Sequence, residues 1–544
     1  MSAGLSSQVS RDYQLTLTNF LERARRFFPR QEIVSRGAQG ISRYNYRQFY
    51  RRVCRLDNAL SALGIGQGDR VGSFAWNTHR HLELYFGLPC MGAVMHTVNI
   101  RLSPEQIAYV INHAQDKLLF IDEDLVPAIE QVAAKLPGVQ RYVIMCEGEL
   151  PPTSLAPVCS YEELLAEAPE NYDFPQLDEG LPAGLAYTSG TTGDPKGVIY
   201  THRMLFLHSF ALALAGGFGI SEADTTMALV PMFHANAWGI PYTSTMVGAK
   251  QVLPGPHPQP EEIAGLIQTE RVSFAAGVPT VWIGLLQFLE QQNYDLSSLQ
   301  QIVCGGSAVP LSLIKAYRDK LGLQIHQAWG MTEMSPAGSV GTLKRSMSDW
   351  PAEQQLAQQA KQGLLLPGLE MRVLDESGCE VPWDGETSGE LLVRGPWVAR
   401  EYYRDPEASA QRFAGGWLRT GDVVTVDRES YLQIVDRTKD LVKSGGEWIS
   451  SVALENALMA HPQVLEAAVI AVPDERWSER PLAYVVLKPD QQLSAEELLG
   501  SITAQFPKFW LPDEVTFIDE LPKTGVGKFN KRALRQLAQQ RPRR

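Results

Sequence analysis

A ten-residue segment, Thr188-Ser189-Gly190-Thr191-Thr192-Gly193-Asp194-Pro195-Lys196-Gly197, combines three glycines, four hydroxyl side chains and one lysine. Glycines allow backbone N–H groups to curl around phosphate oxygens, hydroxyls donate hydrogen bonds, and a lysine adds a mobile positive charge. We therefore predict that this segment, the phosphate loop, binds the phosphates of a nucleotide. An ordinary polar loop is the alternative for a segment of this composition.

The phosphate loop differs from the P-loop of kinases and NTPases, in which the lysine follows a glycine and precedes Ser or Thr. Here Pro195 precedes Lys196 and Gly197 follows it. The flanking runs Gly184–Tyr187 and Val198–Thr201 both have the composition of strands, so the loop is predicted to join two strands and not to open a helix. The spacing therefore excludes a P-loop enzyme.

Further clusters of glycine, hydroxyl and charged residues follow in the segments Gly305–Pro310 (GGSAVP), Gln327–Glu333 (QAWGMTE), Gly416–Asp422 (GWLRTGD), Asp436–Ile449 (DRTKDLVKSGGEWI) and Pro522–Lys528 (PKTGVGK). With the phosphate loop, they resemble the adenylate-forming superfamily of acyl-CoA synthetases, peptide-synthetase adenylation domains and luciferases. The resemblance covers nearly the whole chain. It is closest to the bacterial medium- and long-chain fatty acyl-CoA synthetases.

The resemblance implies a two-step reaction that uses ATP, Mg²⁺ and coenzyme A. A carboxylate is a poor electrophile because its charge and resonance oppose attack by a thiol, so the acid is first joined to AMP. An oxygen of the acid attacks the α-phosphorus of ATP and pyrophosphate leaves, which makes catalysis a matter of positioning and charge compensation. The CoA thiol, with a pKa of about 8.5, is nucleophilic enough to displace AMP without a Ser-His-Asp apparatus.

By the same resemblance, Mg²⁺ is assigned to Glu333 and to the hydroxyl of Thr188, which suits a hard cation that bridges phosphates. Thr332 is expected to contact the α-phosphate. Lys528 is expected to bridge this phosphate and the carboxylate of the acid during adenylation. A surface lysine without such a motif around it would carry no function.

The rest of the nucleotide is expected to lie across the later motifs. Asp422 is assigned to the ribose hydroxyls because its two carboxylate oxygens can accept from both, and Arg437 is assigned beside it. Gly305–Ala308 and Gln327–Gly330 are expected to form the adenine slot. The alternative is that they form a packed turn and that Trp329 is a core tryptophan. The further residues assigned to the nucleotide are Gly305, Gly306, Ser307, Ala308, Gln327, Ala328, Trp329, Gly330, Met331, Ile434 and Lys439.

A change of composition near Asp436 predicts a hinge, because the strand-like run Tyr431–Val435 gives way to the charged turn Asp436–Asp440. We expect residues 1–435 to form the domain that binds ATP and the acid. Residues 436–544 are expected to form a small mobile domain of ordinary size.

The small domain carries two candidate catalytic lysines, Lys443 and Lys528, which the resemblance assigns to different steps. Rotation about Asp436 would withdraw Lys528 and present the Gly445-Gly446 edge, which leaves room for the pantetheine arm of CoA. The residues assigned to CoA or the acyl group in this domain are Lys443, Gly445, Gly446, Glu447 and Trp448.

His234 and Trp238 are assigned to the acyl pocket. His234 gates the pocket or assists the thiol, with a hydrogen-bonded core histidine as the alternative. Trp238 resembles the tryptophan that closes the acyl tunnel of bacterial fatty acyl-CoA synthetases, which favours a medium- or long-chain fatty acid. Trp448 departs from the Asn that many members place after Gly-Gly-Glu, so an aryl or short sulfur-containing acid stays open. A luciferase-like oxygenase and a non-catalytic acyl- or nucleotide-binding protein are the alternatives from other classes.

The composition limits the partners of the chain. A net charge of −12 over 544 residues argues against a nucleic acid polymer, which needs a broad basic surface. The six cysteines form no C-x-x-C pair, and no stretch resembles a signal peptide or a membrane span, so we expect a cytoplasmic protein. Similar enzymes suggest a homodimer.

The elements that position these residues are predicted to be mixed. Short apolar runs of strand length alternate with segments of helical period, which indicates α/β layers. We therefore predict a large N-terminal α/β lobe and a small α+β C-terminal domain. The predicted strands include Leu118–Ile121, Met227–Val230, Leu465–Val472 and Leu482–Leu487, and the predicted helices include Pro104–His113, Leu311–Leu321, Ala352–Gln362 and Val452–Ala460.

Overall fold

The computed structural model describes residues 13–188, 194–444, 447–474, 476–523 and 529–540. Within them the chain forms four sheets with helices packed around and between them. The predicted α/β fold, with a large N-terminal lobe and a smaller C-terminal domain, is confirmed. Among the described helices, none has the length and the apolar character that crossing a bilayer requires.

Strands and helices alternate along most of the N-terminal lobe. The strands are β1 (Glu32–Gly37), β2 (Gly40–Asn45), β3 (Arg70–Phe74), β4 (Val94–Thr97), β5 (Leu118–Asp122), β6 (Arg141–Met145), β7 (Val158–Ser160), β8 (Pro182–Tyr187), β9 (Gly197–Thr201), β10 (Thr225–Ala228), β11 (Lys250–Leu253), β12 (Phe274–Gly277), β13 (Gln301–Gly305), β14 (Ile325–Gly330), β15 (Ala337–Val340), β16 (Leu364–Leu365), β17 (Glu370–Leu374), β18 (Gly389–Arg394), β19 (Phe413–Ala414), β20 (Trp417–Val426), β21 (Leu432–Arg437), β22 (Val442–Ser444), β23 (Glu447–Ile449), β24 (Val464–Asp474), β25 (Ser478–Leu487) and β26 (Glu514–Phe517). The helices are α1 (Leu17–Phe27), α2 (Tyr46–Ala62), α3 (His79–Cys90), α4 (Pro104–Ala114), α5 (Val126–Glu130), α6 (Tyr161–Ala166), α7 (His202–Ala213), α8 (Ile240–Val247), α9 (Pro260–Glu270), α10 (Pro279–Leu289), α11 (Leu311–Leu321), α12 (Ala352–Gln359), α13 (Pro406–Arg412), α14 (Ser451–Met459), α15 (Ala495–Ile502) and α16 (Lys531–Gln539).

Two large sheets form the body of the N-terminal lobe. One has seven strands in the order β7-β6-β5-β3-β4-β8-β9, and the other has nine in the order β16-β15-β14-β13-β12-β10-β11-β1-β2. Their central strands are parallel and apolar, as expected for strands covered on both faces. Helix α3 is buried along its whole length, and it contacts β4 and β8 of the first sheet and β1 of the second. It therefore lies in the layer that joins the two sheets.

The other two sheets are smaller. Strands β17, β18, β20, β19 and β21 form a twisted antiparallel sheet that follows the two large sheets in the chain. The C-terminal sheet has the order β23-β22-β25-β24, with β26 parallel to β25. Helices α14 and α15 cover this sheet, and α14 begins at the N-cap Ser450, whose side chain accepts from the Ala453 N–H.

The structure corrects the predicted elements at two places. The sequence predicts that Asp436 opens a turn after a strand, but β21 continues to Arg437, and Asp436 pairs with Val423 of β20. The reason is that the alternation of this strand continues through the charged residues, whose side chains find partners. The sequence also predicts a surface helix up to Gln362, but α12 ends at Gln359, and Gln358 is buried where its amide donates to Asp427 (2.8 Å).

Candidate active site

A single cavity of about 560 Å³ collects most of the residues that the sequence assigned to ATP and the acid. It opens where the carboxyl ends of parallel strands β10, β12 and β13 meet, the usual place for ligands in α/β sheets. The predicted residues that line it are Thr188, Lys196, His234, Trp238, Gly306, Ala328, Trp329, Gly330, Met331, Thr332, Glu333, Arg437 and Lys439.

The ends of the phosphate loop are held together at one side of the cavity. The Thr188 N–H donates to the Lys196 carbonyl (2.9 Å), and the Lys196 N–H donates to Thr188 Oγ1 (3.3 Å). Tyr187 of β8 pairs with Gly197 of β9 in an antiparallel register. The loop therefore joins two strands, as predicted, and its predicted residues Ser189, Gly190, Thr191, Thr192 and Gly193 lie outside the described residues.

Glu333 lines the cavity, and it is buried. Its Oε1 accepts a hydrogen bond from the Tyr402 hydroxyl at 2.6 Å. Burial, followed by the negative charge of Glu333, raises the pKa of Tyr402 well above its ordinary value, so the phenol stays a donor. Thr332 is fixed next to Glu333 because its carbonyl accepts from the buried Tyr200 hydroxyl (2.8 Å).

The residues around Glu333 fit a magnesium ion that arrives with a nucleotide. No group of three or more His, Cys, Asp or Glu side chains with metal-binding geometry occurs in the described parts of the chain. One carboxylate and one hydroxyl, Glu333 and Thr188, suit Mg²⁺, which keeps several waters and takes its other ligands from phosphates. Bound there, the ion would neutralise phosphate charge.

Asp422, which the sequence assigns to the ribose, has two side-chain partners in the structure. Its carboxylate is buried and does not line the cavity, because Oδ2 accepts from the Trp329 indole N–H (2.8 Å) and Oδ1 accepts from Arg437 Nε (3.1 Å). The Asp422 charge raises the pKa of Arg437. Each oxygen can accept a second hydrogen bond, so the assignment of Asp422 to the ribose hydroxyls stays a prediction. Arg437 is the partner of Asp422 that lines the cavity.

Besides Asp422, five described residues assigned to the nucleotide lie outside the cavity lining. The Gln327 amide is buried, where it donates to the Ala360 carbonyl and accepts from Gln362 Nε2 (2.9 Å). Gln362 also accepts from the Ile434 N–H (2.6 Å), so Gln327 and Ile434 belong to one network behind the wall. The other residues outside the lining are Gly305, Ser307 and Ala308.

Gly305 nevertheless controls the shape of the wall. It pairs with Ala328 in the parallel register of β13 and β14. A Cβ at this position would lie 2.3 Å from the Ala328 carbonyl oxygen and 3.3 Å from the Trp238 indole. Only a glycine allows these two strands and the indole to approach this closely.

The acyl side of the cavity carries a turn of unusual handedness. Five consecutive residues, Ala235 to Gly239, have positive φ angles between 44° and 77°. Four of them carry a Cβ, for which the left-handed conformation costs about 1–2 kcal/mol per residue. His234 and Trp238, at the start and near the end of this left-handed turn, both line the cavity.

Asp436 connects two parts of the chain, since its backbone pairs with Val423 of β20 and its side chain binds Ser451 of α14. Its Oδ2 accepts from the Ser451 N–H (2.7 Å) and from Ser451 Oγ (2.6 Å). Lys531 donates to the same Ser451 hydroxyl (2.6 Å) and forms a buried ion pair with Glu455 (2.7 Å). Burial raises the pKa of Asp436. The predicted pivot is therefore tied to α14 and, through Lys531, to α16.

Lys443 and Trp448 of the small domain do not line the cavity. Lys443 and Trp448 face each other across the β22–β23 hairpin, with the ammonium 4.9 Å from the centre of the indole ring. Both are exposed. Gly445, Gly446, the Glu447 side chain and Lys528 lie outside the described residues.

Sequence reasoning missed several residues of the cavity. Tyr402 and Arg412 belong to no motif that we recognised, although the Arg412 guanidinium donates to the Thr420 carbonyl (2.6 Å) of the predicted GWLRTGD segment. The spacing of one tyrosine and one arginine gives no signal of their role. The missed residues with apolar side chains include Phe218, Val230, Val278, Pro336, Ala337 and Ala408.

Curated relatives match the chain over nearly their whole lengths. The long-chain-fatty-acid–CoA ligase of Thermus thermophilus is 47% identical, with 96% of each chain covered. The medium-chain-fatty-acid–CoA ligase of Ectopseudomonas oleovorans is 40% identical, also with 96% of each chain covered. The 3-methylmercaptopropionyl-CoA ligase of Ruegeria lacuscaerulensis is 42% identical, with 96% of this chain and 97% of that one covered.

Solved structures agree with this result. The anthranilate CoA ligase AuaEII in complex with anthranoyl-AMP superposes with a TM-score of 0.86 at 26% identity and covers 96% of this chain and 97% of that one. ATP-bound MatB from Rhodopseudomonas palustris has a TM-score of 0.82 at 25% identity, with coverages of 96% and 99%. The AMP-binding enzyme family matches residues 20–403, and its C-terminal domain matches residues 453–528. The chain therefore belongs to the AMP-binding enzyme family.

Proposed function

We propose that this chain is an ATP-dependent, AMP-forming ligase that joins a medium- or long-chain fatty acid to coenzyme A. The observation that carries the proposal is the composition of one cavity. Its wall combines the end of the phosphate loop and the Glu333 carboxylate with apolar side chains such as Phe218, Trp238 and Val278. A charged half for a nucleotide thus adjoins an apolar half for an acyl chain.

The reaction has two steps in this cavity. In the first, a carboxylate oxygen of the acid attacks the α-phosphorus of ATP, the bond to the β-phosphate oxygen breaks, and pyrophosphate leaves. In the second, the CoA sulfur attacks the acyl carbon, AMP leaves, and the thiol proton is released. We assign Lys528 to the first step, since its charge would offset the negative charge that gathers at the α-phosphorus.

Two features support a fatty acid as the substrate. Several apolar side chains line the cavity with Trp238, among them Phe218, Val230 and Val278. The curated relatives include fatty acid–CoA ligases of two chain-length classes. A short sulfur-containing acid is the second candidate, because the 3-methylmercaptopropionyl-CoA ligase is as similar as the medium-chain enzyme.

We also assign the two steps to two orientations of the small domain, 436–544. The match of the family's C-terminal domain to residues 453–528 supports a separate unit. Asp436 belongs to this unit through its bonds to Ser451, which supports it as the pivot. Lys443 and Trp448 on the β22–β23 hairpin would then meet CoA in the second orientation.

We also propose that the protein is a homodimer in the cytoplasm. Two exposed aromatic side chains, Phe27 of α1 and Phe210 of α7, support a contact surface on the N-terminal lobe. All six cysteines are free, which is usual in a reducing compartment. Sedimentation of the purified chain at several concentrations tests the dimer.

A panel of acids tests the proposed function. The purified protein is given ATP, Mg²⁺, CoA and saturated fatty acids of graded length, alongside aryl acids and a short thioether acid. We expect AMP, pyrophosphate and acyl-CoA in equal amounts, with the highest kcat/KM for a medium or long chain. Turnover with only the short thioether acid would move the assignment to the second candidate, and AMP release without any acid would contradict both.

A further inference from the structure

The segment that carries His234 and Trp238 is held by one buried amide from the other large sheet. Asn77 precedes α3, and its Nδ2 donates to the carbonyls of Ala228 and Val230, each at 2.9 Å. Its Oδ1 accepts from the Met232 N–H at 2.7 Å. One side chain thus binds three backbone groups of the five-residue stretch that connects the end of β10 to the left-handed turn.

Asn77 is itself fixed. Its side chain is buried, and its carbonyl accepts from the Gly255 N–H (3.1 Å). The preceding residue, Trp76, donates its N–H to the Asp122 carboxylate of β5 at 2.7 Å. The amide therefore extends from the seven-stranded sheet to the nine-stranded sheet, and it joins them beside the cavity.

A second contact acts on the same point. The buried Tyr85 hydroxyl of α3 donates to the Met232 carbonyl. Both polar backbone groups of Met232 are thus bound by side chains that lie next to or within α3. Met232 is two residues before His234 and three before the first left-handed residue, Ala235.

The left-handed turn explains why such a clamp is needed. Residues in this conformation persist only where the surrounding structure determines them, because each costs free energy. Without the bonds to Asn77, the connection from Val230 to Trp238 could relax to right-handed angles. His234, Ala235 and Trp238 would then leave the positions at which they line the cavity.

From these contacts we infer that Asn77 is a positioning residue for the acyl pocket, acting through Met232 on His234 and Trp238. Neither Asn77 nor Tyr85, which assists it, lines the cavity. This inference rests on the proposed function. It predicts that loss of the amide weakens use of the acid and leaves use of ATP nearly unchanged, because Thr188 and Glu333 lie on other elements.

Two matched variants test the inference. Asn77→Asp keeps the size of the side chain but places a carboxylate oxygen against the Ala228 and Val230 carbonyls. Gln251→Glu makes the same exchange in strand β11, where the buried amide donates to Tyr46 (2.9 Å) and Thr245 (3.0 Å) and does not line the cavity. Both variants lose buried hydrogen bonds, so both are expected to lower the midpoint of chemical unfolding.

The readout is acid-dependent ATP–pyrophosphate exchange, with KM measured separately for the fatty acid and for ATP. We expect Asn77→Asp to raise KM for the acid at least about tenfold and to change KM for ATP less than about twofold. Gln251→Glu should change neither by more than about twofold. Equal rises for both substrates in Asn77→Asp, or the same acid-specific rise in Gln251→Glu, would refute the positioning role.

If Asn77→Asp is not recovered in folded form, Tyr85→Phe replaces it. This change removes one hydroxyl and is expected to raise KM for the acid about threefold, again without an effect on ATP; an unchanged KM for the acid overturns the inference. Exchange by the unaltered enzyme is measured first. Its absence with every fatty acid would contradict the proposed function, whereas its presence with unaffected variants would contradict only the role of Asn77.

Discussion

At the residue scale, the Glu333 carboxylate depends on one phenol for its orientation. Tyr402→Phe removes the 2.6 Å hydrogen bond and keeps the ring. A hydrogen bond to a charged group contributes about 1.5–3 kcal/mol, so we expect kcat/KM for MgATP in pyrophosphate exchange to fall by roughly ten- to a hundredfold. The fall in kcat/KM should become smaller as the Mg²⁺ concentration is raised, because a higher concentration offsets weaker binding of the ion by a misplaced Glu333 carboxylate.

The control for this prediction is Tyr431→Phe. Tyr431 is also buried, and its hydroxyl donates a hydrogen bond to the Thr342 carbonyl at 2.7 Å. Unlike Tyr402, it does not line the cavity. Its loss should reduce stability without a change in the Mg²⁺ dependence. A similar Mg²⁺ dependence in both variants would contradict the assignment of Glu333 to the metal.

Asp57 gives a prediction about pH. It is completely buried, neither carboxylate oxygen has a partner in the part of the chain described, and burial raises its pKa well above the ordinary value. The unfolded carboxyl titrates near pH 4, so the folded protein loses stability as the pH rises above about 4 towards the raised pKa. Asp57→Leu, of similar shape, should be about 1–3 kcal/mol more stable at pH 7.

Denaturant unfolding at two pH values checks this expectation. The gain from Asp57→Leu should be smaller at about pH 3, which lies below the pKa of the carboxyl in both the folded and the unfolded state. A gain that does not depend on pH would show that the titration of this carboxyl does not contribute to stability. A loss of stability at both pH values would contradict the unpaired state of Asp57.

Sequence motifs predicted the residues that stand in unusual local patterns. They did not predict the residues that hydrogen-bond to these from distant parts of the sequence. The phosphate loop was predictable because three glycines and four hydroxyls in ten residues are unusual. Tyr402 was not, since it reaches Glu333 across 69 positions of sequence and no local pattern marks it. The motif around Asp422 likewise did not indicate that the Trp329 indole would donate to one of its oxygens.

At the scale of elements, the parallel pair β13 and β14 tolerates no side chain at Gly305. Gly305→Ala would place a methyl group 2.3 Å from the Ala328 carbonyl, so the strands and the Trp238 indole must move apart. We expect a loss of about 1–3 kcal/mol in stability and a rise in KM for the acid. Denaturant unfolding and pyrophosphate exchange measure the two effects.

Gly265→Ala is the matched control, because this helical glycine of α9 has no atom within 4 Å of its would-be Cβ. Alanine there should be neutral or stabilise by up to about 1 kcal/mol. If both variants behave alike, the close approach of β13 to β14 is not what constrains Gly305.

Elements with strong local signals were predicted well. Helix α11 has the predicted bounds, Leu311–Leu321. Helix α4 begins at the predicted residue, where Ser103 forms a capping box, and it ends one residue later than predicted. The hinge was placed within a turn because charged residues interrupt the apolar alternation of β21. Partners distant in sequence, such as Ser451 for Asp436, decide that the strand continues.

At the scale of the whole molecule, the two proposed orientations predict that the half-reactions can be separated. Lys528→Ala should abolish acid-dependent pyrophosphate exchange but still convert supplied acyl-AMP and CoA to acyl-CoA. Gly446→Trp should leave exchange nearly intact and block thioester formation, because the indole would fill the path of the pantetheine arm. Both assays use the same protein preparation, so each variant is the control for the other.

Loss of both half-reactions in both variants would contradict the two orientations, and normal exchange in Lys528→Ala would contradict its role. The Asp422–Arg437 ion pair adds a physical link, since Arg437 lies one residue after the pivot. Movement of the small domain would change the distance between these two charges. Nucleotide binding and domain orientation are therefore expected to influence each other.

The buried ammonium of Lys531 has a practical consequence for handling the enzyme. It comes from the first residue of α16, and it neutralises Glu455, whose carboxylate also accepts from the Val469 N–H (2.8 Å) in the core of the small domain. Proteolytic trimming before residue 531 would leave that anion buried without its cation, at a cost of about 3–5 kcal/mol. Clipping at this end should therefore inactivate a stored preparation through melting of the C-terminal sheet, long before the N-terminal lobe is damaged.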